Sequence, residues 1–155
     1  MDRDEAYRRL ADARVGRLAT VRPDGSPHVV PFVFAVDGGT LYWAVDRKPK
    51  RSAALTRVAN IRTDPRVEVV VDGFDEDWSQ LWWVRARGRG REVTDRDERS
   101  AALAALATKY PQYRAQPPDG PVVAIELERW SGWSASVAPG GPAEPPAGSA
   151  SAEVR

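Results

Sequence analysis

Apolar positions along this chain recur first at helical and then at strand spacing. Ala6, Leu10 and Ala13 with Tyr7 beside them predict a helix over residues 2–13. Asp2, Asp4 and Glu5 fall in its first turn, where the helix dipole favours negative charge. Residues 15–21 and 27–36 read as two strands of a hairpin, joined by the turn Arg22-Pro-Asp-Gly-Ser26. The second is apolar almost without interruption from Val29 to Val36, which predicts burial on both faces, one inward and one against a partner. Asp37-Gly-Gly39 turns the chain into a third strand, residues 41–45.

A helix is predicted from the segment 46–52 to about Arg62, with Pro49 in its first turn and Leu55 and Val58 as apolar anchors. Thr63-Asp-Pro65 ends it, and residues 67–72 form a strand with Val67, Val69 and Val71 on one face. After an acidic loop, residues 80–93 read as a long strand in which Gly88 and Gly90 permit a bulge. Thr94 is placed to cap a helix over 95–109, with Asp97 in the reciprocal position and Leu103, Leu106 and Tyr110 as its stripe. Residues 111–121 read as loop, and 122–128 and 130–137 as the last two strands. The pattern is mostly β with flanking helices: an antiparallel barrel of six or seven strands over residues 1–138. Residues 139–155, rich in Pro, Gly, Ala and Ser, read as a disordered tail.

The 155 residues make one ordinary domain. With no cysteine, disulfides, thiolate metal sites and a cysteine nucleophile are excluded. His28 is the only histidine, so a histidine-rich metal site is excluded as well, and it reads as a structural or interface residue rather than an acid or base. The net charge of +1 does not mark a nucleic-acid binder. No apolar run reaches the roughly 18 residues of a membrane span, and the charged start Met1-Asp-Arg-Asp-Glu is not a signal peptide. A soluble, cytoplasmic protein is expected.

Charge is concentrated at Arg47-Lys48-Pro49-Lys50-Arg51, which holds two of the three lysines at a predicted helix start. Free N–H groups and a positive dipole end meet added cations there, the makings of a phosphate site. Six tryptophans are present, with Trp78, Trp82 and Trp83 grouped and Trp43 in the strand that leads to the cations. Trp82 and Trp83 must point to opposite faces of a strand. Each alone reads as core packing, but together, beside a phosphate site, they suit an aromatic ring system. No catalytic triad, Walker loop or dinucleotide fingerprint is present. A phosphate site and aromatic surfaces without an acid–base set fit chemistry performed by a cofactor.

The segments GRLATVRPDGSPHVVPFVF (16–34), LYWAVDRKPKR (41–51), NIRTDPRVEVVVD (60–72) and LWWVRARGRGREV (81–93) resemble, in order and spacing, the pyridoxamine 5′-phosphate oxidase-like superfamily of split β-barrel flavoproteins. Within it, the long helical segment between Lys50 and Pro65 is similar to the branch that uses the deazaflavin coenzyme F420. The resemblance implies an FMN-binding-protein-like Greek-key split barrel and a homodimer with cofactor at the subunit interface. By position, Lys48, Lys50 and Arg51 match the phosphate-binding residues. Trp43, Ala44 and Val45 match the strand lining the ring, and Pro31, Phe32 and Val33 the strand beneath it. Trp82 and Trp83 fall where the second subunit approaches, in place of the polar residue of the oxidases.

The Arg-x-His of true pyridoxamine-phosphate oxidases is missing from residues 130–136, which argues against vitamin B6 oxidation. The expected activity is F420-dependent reduction of a small organic acceptor. An FMN-dependent oxidoreductase and a non-catalytic F420-binding protein are the alternatives.

Overall fold

The computed structural model describes residues 1–46 and 53–135. Seven strands form one antiparallel sheet: β1 (Gly16–Val21), β2 (Pro27–Phe32), β3 (Ala35–Asp37), β4 (Thr40–Ala44), β5 (Arg66–Gly73), β6 (Trp82–Glu92) and β7 (Val122–Ser134). Four helices flank it: α1 (Arg3–Asp12), α2 (Ala53–Thr63), α3 (Arg96–Lys109) and α4 (Pro111–Ala115). The strand order is β2-β1-β5-β6-β7-β4-β3. Its two edge strands are joined by only Val33 and Phe34, so the sheet must curl until its edges nearly meet. No ladder joins β2 to β3, which leaves the barrel split along that seam.

The seam explains why the predicted strand 27–36 is two strands. Tyr110 takes over the backbone that the ladder drops. Its hydroxyl accepts from the Phe34 N–H at 3.2 Å and lies 2.9 Å from the carbonyls of Phe34 and Arg14, so the backbone of the buried Phe34 is not left unpaired. Burial of both faces of this run is not achieved within the chain. Val29 is 59% exposed and Pro31 is also exposed.

Leu18, Phe34, Trp43, Val69, Val84 and Ile125 fill the barrel interior. Outside it, α3 packs Ala102 against Tyr42, Val122 and Ala124. Residues 122–125 are therefore buried on both faces, the doubly covered strand that a continuous apolar run demands.

Several expected boundaries move. Asp95, not Thr94, caps α3: its carboxylate accepts from the Glu98 N–H at 2.8 Å, because the helix starts one residue later than expected. The loop expected over 111–121 contains α4, with Pro111 at a helix start where its missing N–H costs nothing. The two last strands are one, β7; the break expected near residue 129 is a shift of register against β6 at Arg87/Gly88. Val58 is buried as expected, but Leu55 is 50% exposed and Ile61 takes its place as an anchor of α2, with Asn60 donating to the buried Thr20 hydroxyl at 3.0 Å.

Lys109 locks α3 to α1. Its ammonium donates to the Ala11 carbonyl at 2.8 Å and stands 4.4 Å from the centre of the Phe34 ring. Arg14 returns the contact by donating to the Lys109 carbonyl at 2.7 Å. Burial, and then the charge of Arg14, push the Lys109 pKa down to about 8. Between about 8 and the usual lysine value of 10.5 the unfolded chain binds the extra proton, so stability contributed by this site rises with pH across that window. Thermal melts at pH 7.5 and pH 10 should show the parent protein gaining on Lys109→Met as pH rises; parallel shifts in both proteins would remove the linkage.

Candidate functional site

The polar residues that sequence reasoning missed are on α2. A helix lying on a barrel is expected to turn an apolar stripe inward, yet α2 also directs Arg57 there. The Arg57 guanidinium carbon lies 4.7 Å from the centre of the Trp43 ring. Its Nε and Nη1 are buried and have no hydrogen-bond partner among the described residues. Burial pulls its pKa down, opposed by nearby Tyr113, but a guanidinium stays charged in a protein.

Two more buried polar atoms lack partners among the described residues: the Trp43 indole Nε1 and the His28 Nδ1. His28 is on β2, opposite Thr20 of β1. Its pKa is held down by burial and then by the charges of Arg22 and Arg57, so the imidazole is neutral at pH 7. On the α4 side, burial and the charge of Asp46 push the Tyr113 hydroxyl up to about 12. The result is a cationic fork flanked by neutral hydrogen-bonding groups, with an aromatic floor.

Leaving a buried donor unmade costs about 1–3 kcal/mol, and more for a charged one. An arrangement with several such donors is suited to a ligand that brings acceptors. A phosphate is the natural match for a guanidinium fork, which donates to two oxygens at once.

Of the expected ring-lining residues, Trp43 of β4 is the one that stands beside Arg57. Trp43 is 1% exposed and Val45 6%, while Ala44 is half-buried at the end of β4. Phe32 is 6% exposed and stacks on Phe34 at 5.0 Å between ring centres; Val33 is half-buried and Pro31 exposed. The side chains of Trp43 and Phe32 therefore belong to the core, and what they can present to a ligand is chiefly backbone. Trp82 and Trp83 are not brought to Arg57 within one chain. They begin β6, whose other end, Glu92, pairs with Arg62 of α2 at 2.6 Å; those ends are about 30 Å apart at strand rise. Trp82 instead packs under Arg9, 4.7 Å from its ring centre. Lys48, Lys50 and Arg51 lie outside the described residues, in the connection between β4 and α2.

Arg57 was legible only in part. It follows the cationic cluster by less than two helical turns, but nothing in its spacing separates it from a solvated arginine. No helix among the described residues is long and apolar enough to cross a membrane.

Solved structures with the same fold include a conserved hypothetical protein from Mycobacterium tuberculosis, 23% identical, with TM-score 0.71 over 86% of this chain and 85% of that one. A FAD-binding protein from Mesorhizobium loti is 26% identical, with TM-score 0.65 over 85% and 94%. The FAD binding protein from Mycobacterium smegmatis is 19% identical, with TM-score 0.60 over 86% and 94%. No curated protein sequence matches the chain. The family model described as pyridoxamine 5′-phosphate oxidase matches residues 2–134. The split seven-stranded sheet and this match over nearly all of the described chain place the protein in the pyridoxamine 5′-phosphate oxidase family.

Proposed function

We propose that this protein is a flavin-binding oxidoreductase of its family, with the phosphate of FMN or FAD held by Arg57. The observation that carries the reading is the pair of buried Arg57 atoms, Nε and Nη1, that have no hydrogen-bond partner among the described residues and stand against Trp43. Support also comes from the two structural neighbours named for FAD binding. A bound flavin supplies hydride or electron transfer to a small organic acceptor. The chain's own contribution is binding and orientation. Arg57 would neutralise phosphate charge, joined by Lys48, Lys50 and Arg51, which precede it in sequence. The backbone of 43–45 and 31–33 would border the ring. Neutral His28 would offer a hydrogen bond without a competing charge.

Two chains would share the site, with the exposed outer face of β2 at Val29 and Pro31 covered by the second copy. Trp82 and Trp83 would then approach from that copy. Vitamin B6 is not the substrate in this reading, since the described residues 130–135 contain neither arginine nor histidine.

Coenzyme F420 is the second reading. It too carries a phosphate, and the cations of 47–51 would suit its acidic tail. The test is the visible spectrum of the purified protein, followed by fluorescence titration with FMN, FAD and F420. A yellow preparation, or binding of FMN or FAD in the micromolar range (about 8 kcal/mol), supports the flavin reading. Tight F420 binding with weak FMN and FAD binding replaces it with the deazaflavin. No binding of any of the three at tens of micromolar overturns both. Turnover with an electron acceptor then separates an enzyme from a carrier.

A further inference from the structure

The outer face of β6 carries arginine at every second position, Arg85, Arg87, Arg89 and Arg91. Arg91 is held by Glu98 at 2.7 Å and Glu126 at 2.8 Å. Arg85 and Arg87 must share one carboxylate, Glu68, at 3.0 and 3.3 Å. Across the ladder, Arg87 faces not an acid but Arg129 of β7. Like charges directly opposite on a sheet face are destabilising. Arg129 makes no ion pair with any described residue. Arg85, Arg87, Arg129 and Ser131 together border a recess of about 140 Å³.

The register shift creates this cluster. Gly88 pairs with Leu127, while Arg87 pairs with Arg129, so Glu128 is the extra residue of a bulge. Continued without the bulge, the register from Gly88 and Leu127 would set Arg87 against Glu128, an ordinary ion pair. The bulge takes that carboxylate out of register with Arg87, into a neighbouring groove that Glu128 lines together with Glu68, Arg66, Arg87 and Arg89. Gly88 keeps the strands close enough, because a Cβ there would run into the Glu126 carbonyl oxygen. The like-charged pair has no carboxylate across the ladder, and its one ion pair among the described residues is Arg87 with Glu68, a local conflict of the kind found at functional sites.

From this geometry we infer a second anion-binding site, separate from Arg57, on the outer face of the β6–β7 ladder. Its ligand is one small oxyanion, a phosphate or a carboxylate, bound by the guanidinium groups of Arg85, Arg87 and Arg129 with the Ser131 hydroxyl. Three cations against one shared carboxylate leave the recess positive, and guanidinium forks match the paired oxygens of either group.

Calorimetric titration of the full chain carrying Arg57→Gln, which removes the guanidinium of the other site, tests this with inorganic phosphate and with malonate, and comparison with added Arg129→Gln assigns the heat to this recess. The expected result is saturable binding of one anion per chain, with a Kd of about 1 mM or tighter at low salt. The tighter of the two shows whether the natural ligand offers phosphate or carboxylate. Adding Arg129→Gln should weaken binding about tenfold, with an unchanged circular dichroism spectrum. Unsaturable heats for both anions, or equal affinity with and without Arg129, would overturn the inference. So would a chain that binds neither anion but loses self-association on Arg129→Gln, since the recess would then receive a side chain of a second copy. None of these outcomes depends on flavin binding.

Discussion

Replacing Arg57 with methionine is expected to weaken flavin binding by about 10- to 100-fold, the range for charge-assisted hydrogen bonds removed from a buried site. The same substitution should leave the ligand-free protein as stable as the parent or more so. Arg57 has buried Nε and Nη1 atoms with no partner among the described residues, and its company is the Trp43 ring at 4.7 Å. Methionine fills much of that volume without an uncompensated charge. Binding and stability should therefore move in opposite directions. The measurement pairs a flavin titration with thermal melts of the ligand-free protein. A variant that binds as well as the parent would remove Arg57 from the site. One that binds weakly only because it is unfolded would leave the trade-off unsupported, and Arg57→Lys, which keeps the charge but loses the fork, would then be compared at equal stability.

Trp43→Ala carries the largest expected loss of stability, about 3–5 kcal/mol, the range for deleting a large buried aromatic. Trp43 is 1% exposed and lies in the cluster that includes Leu18, Phe34 and Val69. Its deletion removes the floor beneath Arg57 as well as core volume. Trp43→Phe is the informative companion. It keeps a ring for the guanidinium and removes an indole N–H that has no partner among the described residues. Denaturant unfolding should place the phenylalanine variant much closer to the parent than the alanine variant. Equal losses would mean that the indole N–H is satisfied in solution and matters to the fold.

These two residues show where the sequence is legible. Period-two alternation at Val67, Val69 and Val71 correctly marks the inner face of β5, because a pleated strand has only two faces. The glycine at 88 marks the irregular point of the β6–β7 ladder, because a Cβ there would run into the Glu126 carbonyl oxygen, whereas Gly90 pairs in regular register with Ile125. Family membership is legible too, since it rests on the order of short local segments that the family match spans. For the same reason the cations at 47–51 invite a phosphate reading from composition alone.

What escapes is whatever depends on elements distant in the chain. The break between β2 and β3 has no local cause: Val33 and Phe34 look like strand residues. They are pulled out of the ladder because the curled sheet must carry the chain from one edge to the other, with Tyr110, 76 residues on from Phe34, taking over the hydrogen bonds of Phe34. Leu55 is misread as an anchor because helical spacing gives several candidate faces, and only packing on β1 and β6 chooses the one with Val58, Asn60 and Ile61. Arg57 looks like any surface arginine until Trp43, from a different strand, is set beneath it. Arg129 likewise acquires Arg87 as a neighbour only through the bulge in β7. Local chemistry determines the alternation of strands such as β5 and the family, because each follows from residues a few positions apart. Which charges end up buried or crowded together is decided by the curl of the sheet and the register of its strands, because these bring residues distant in the chain into contact.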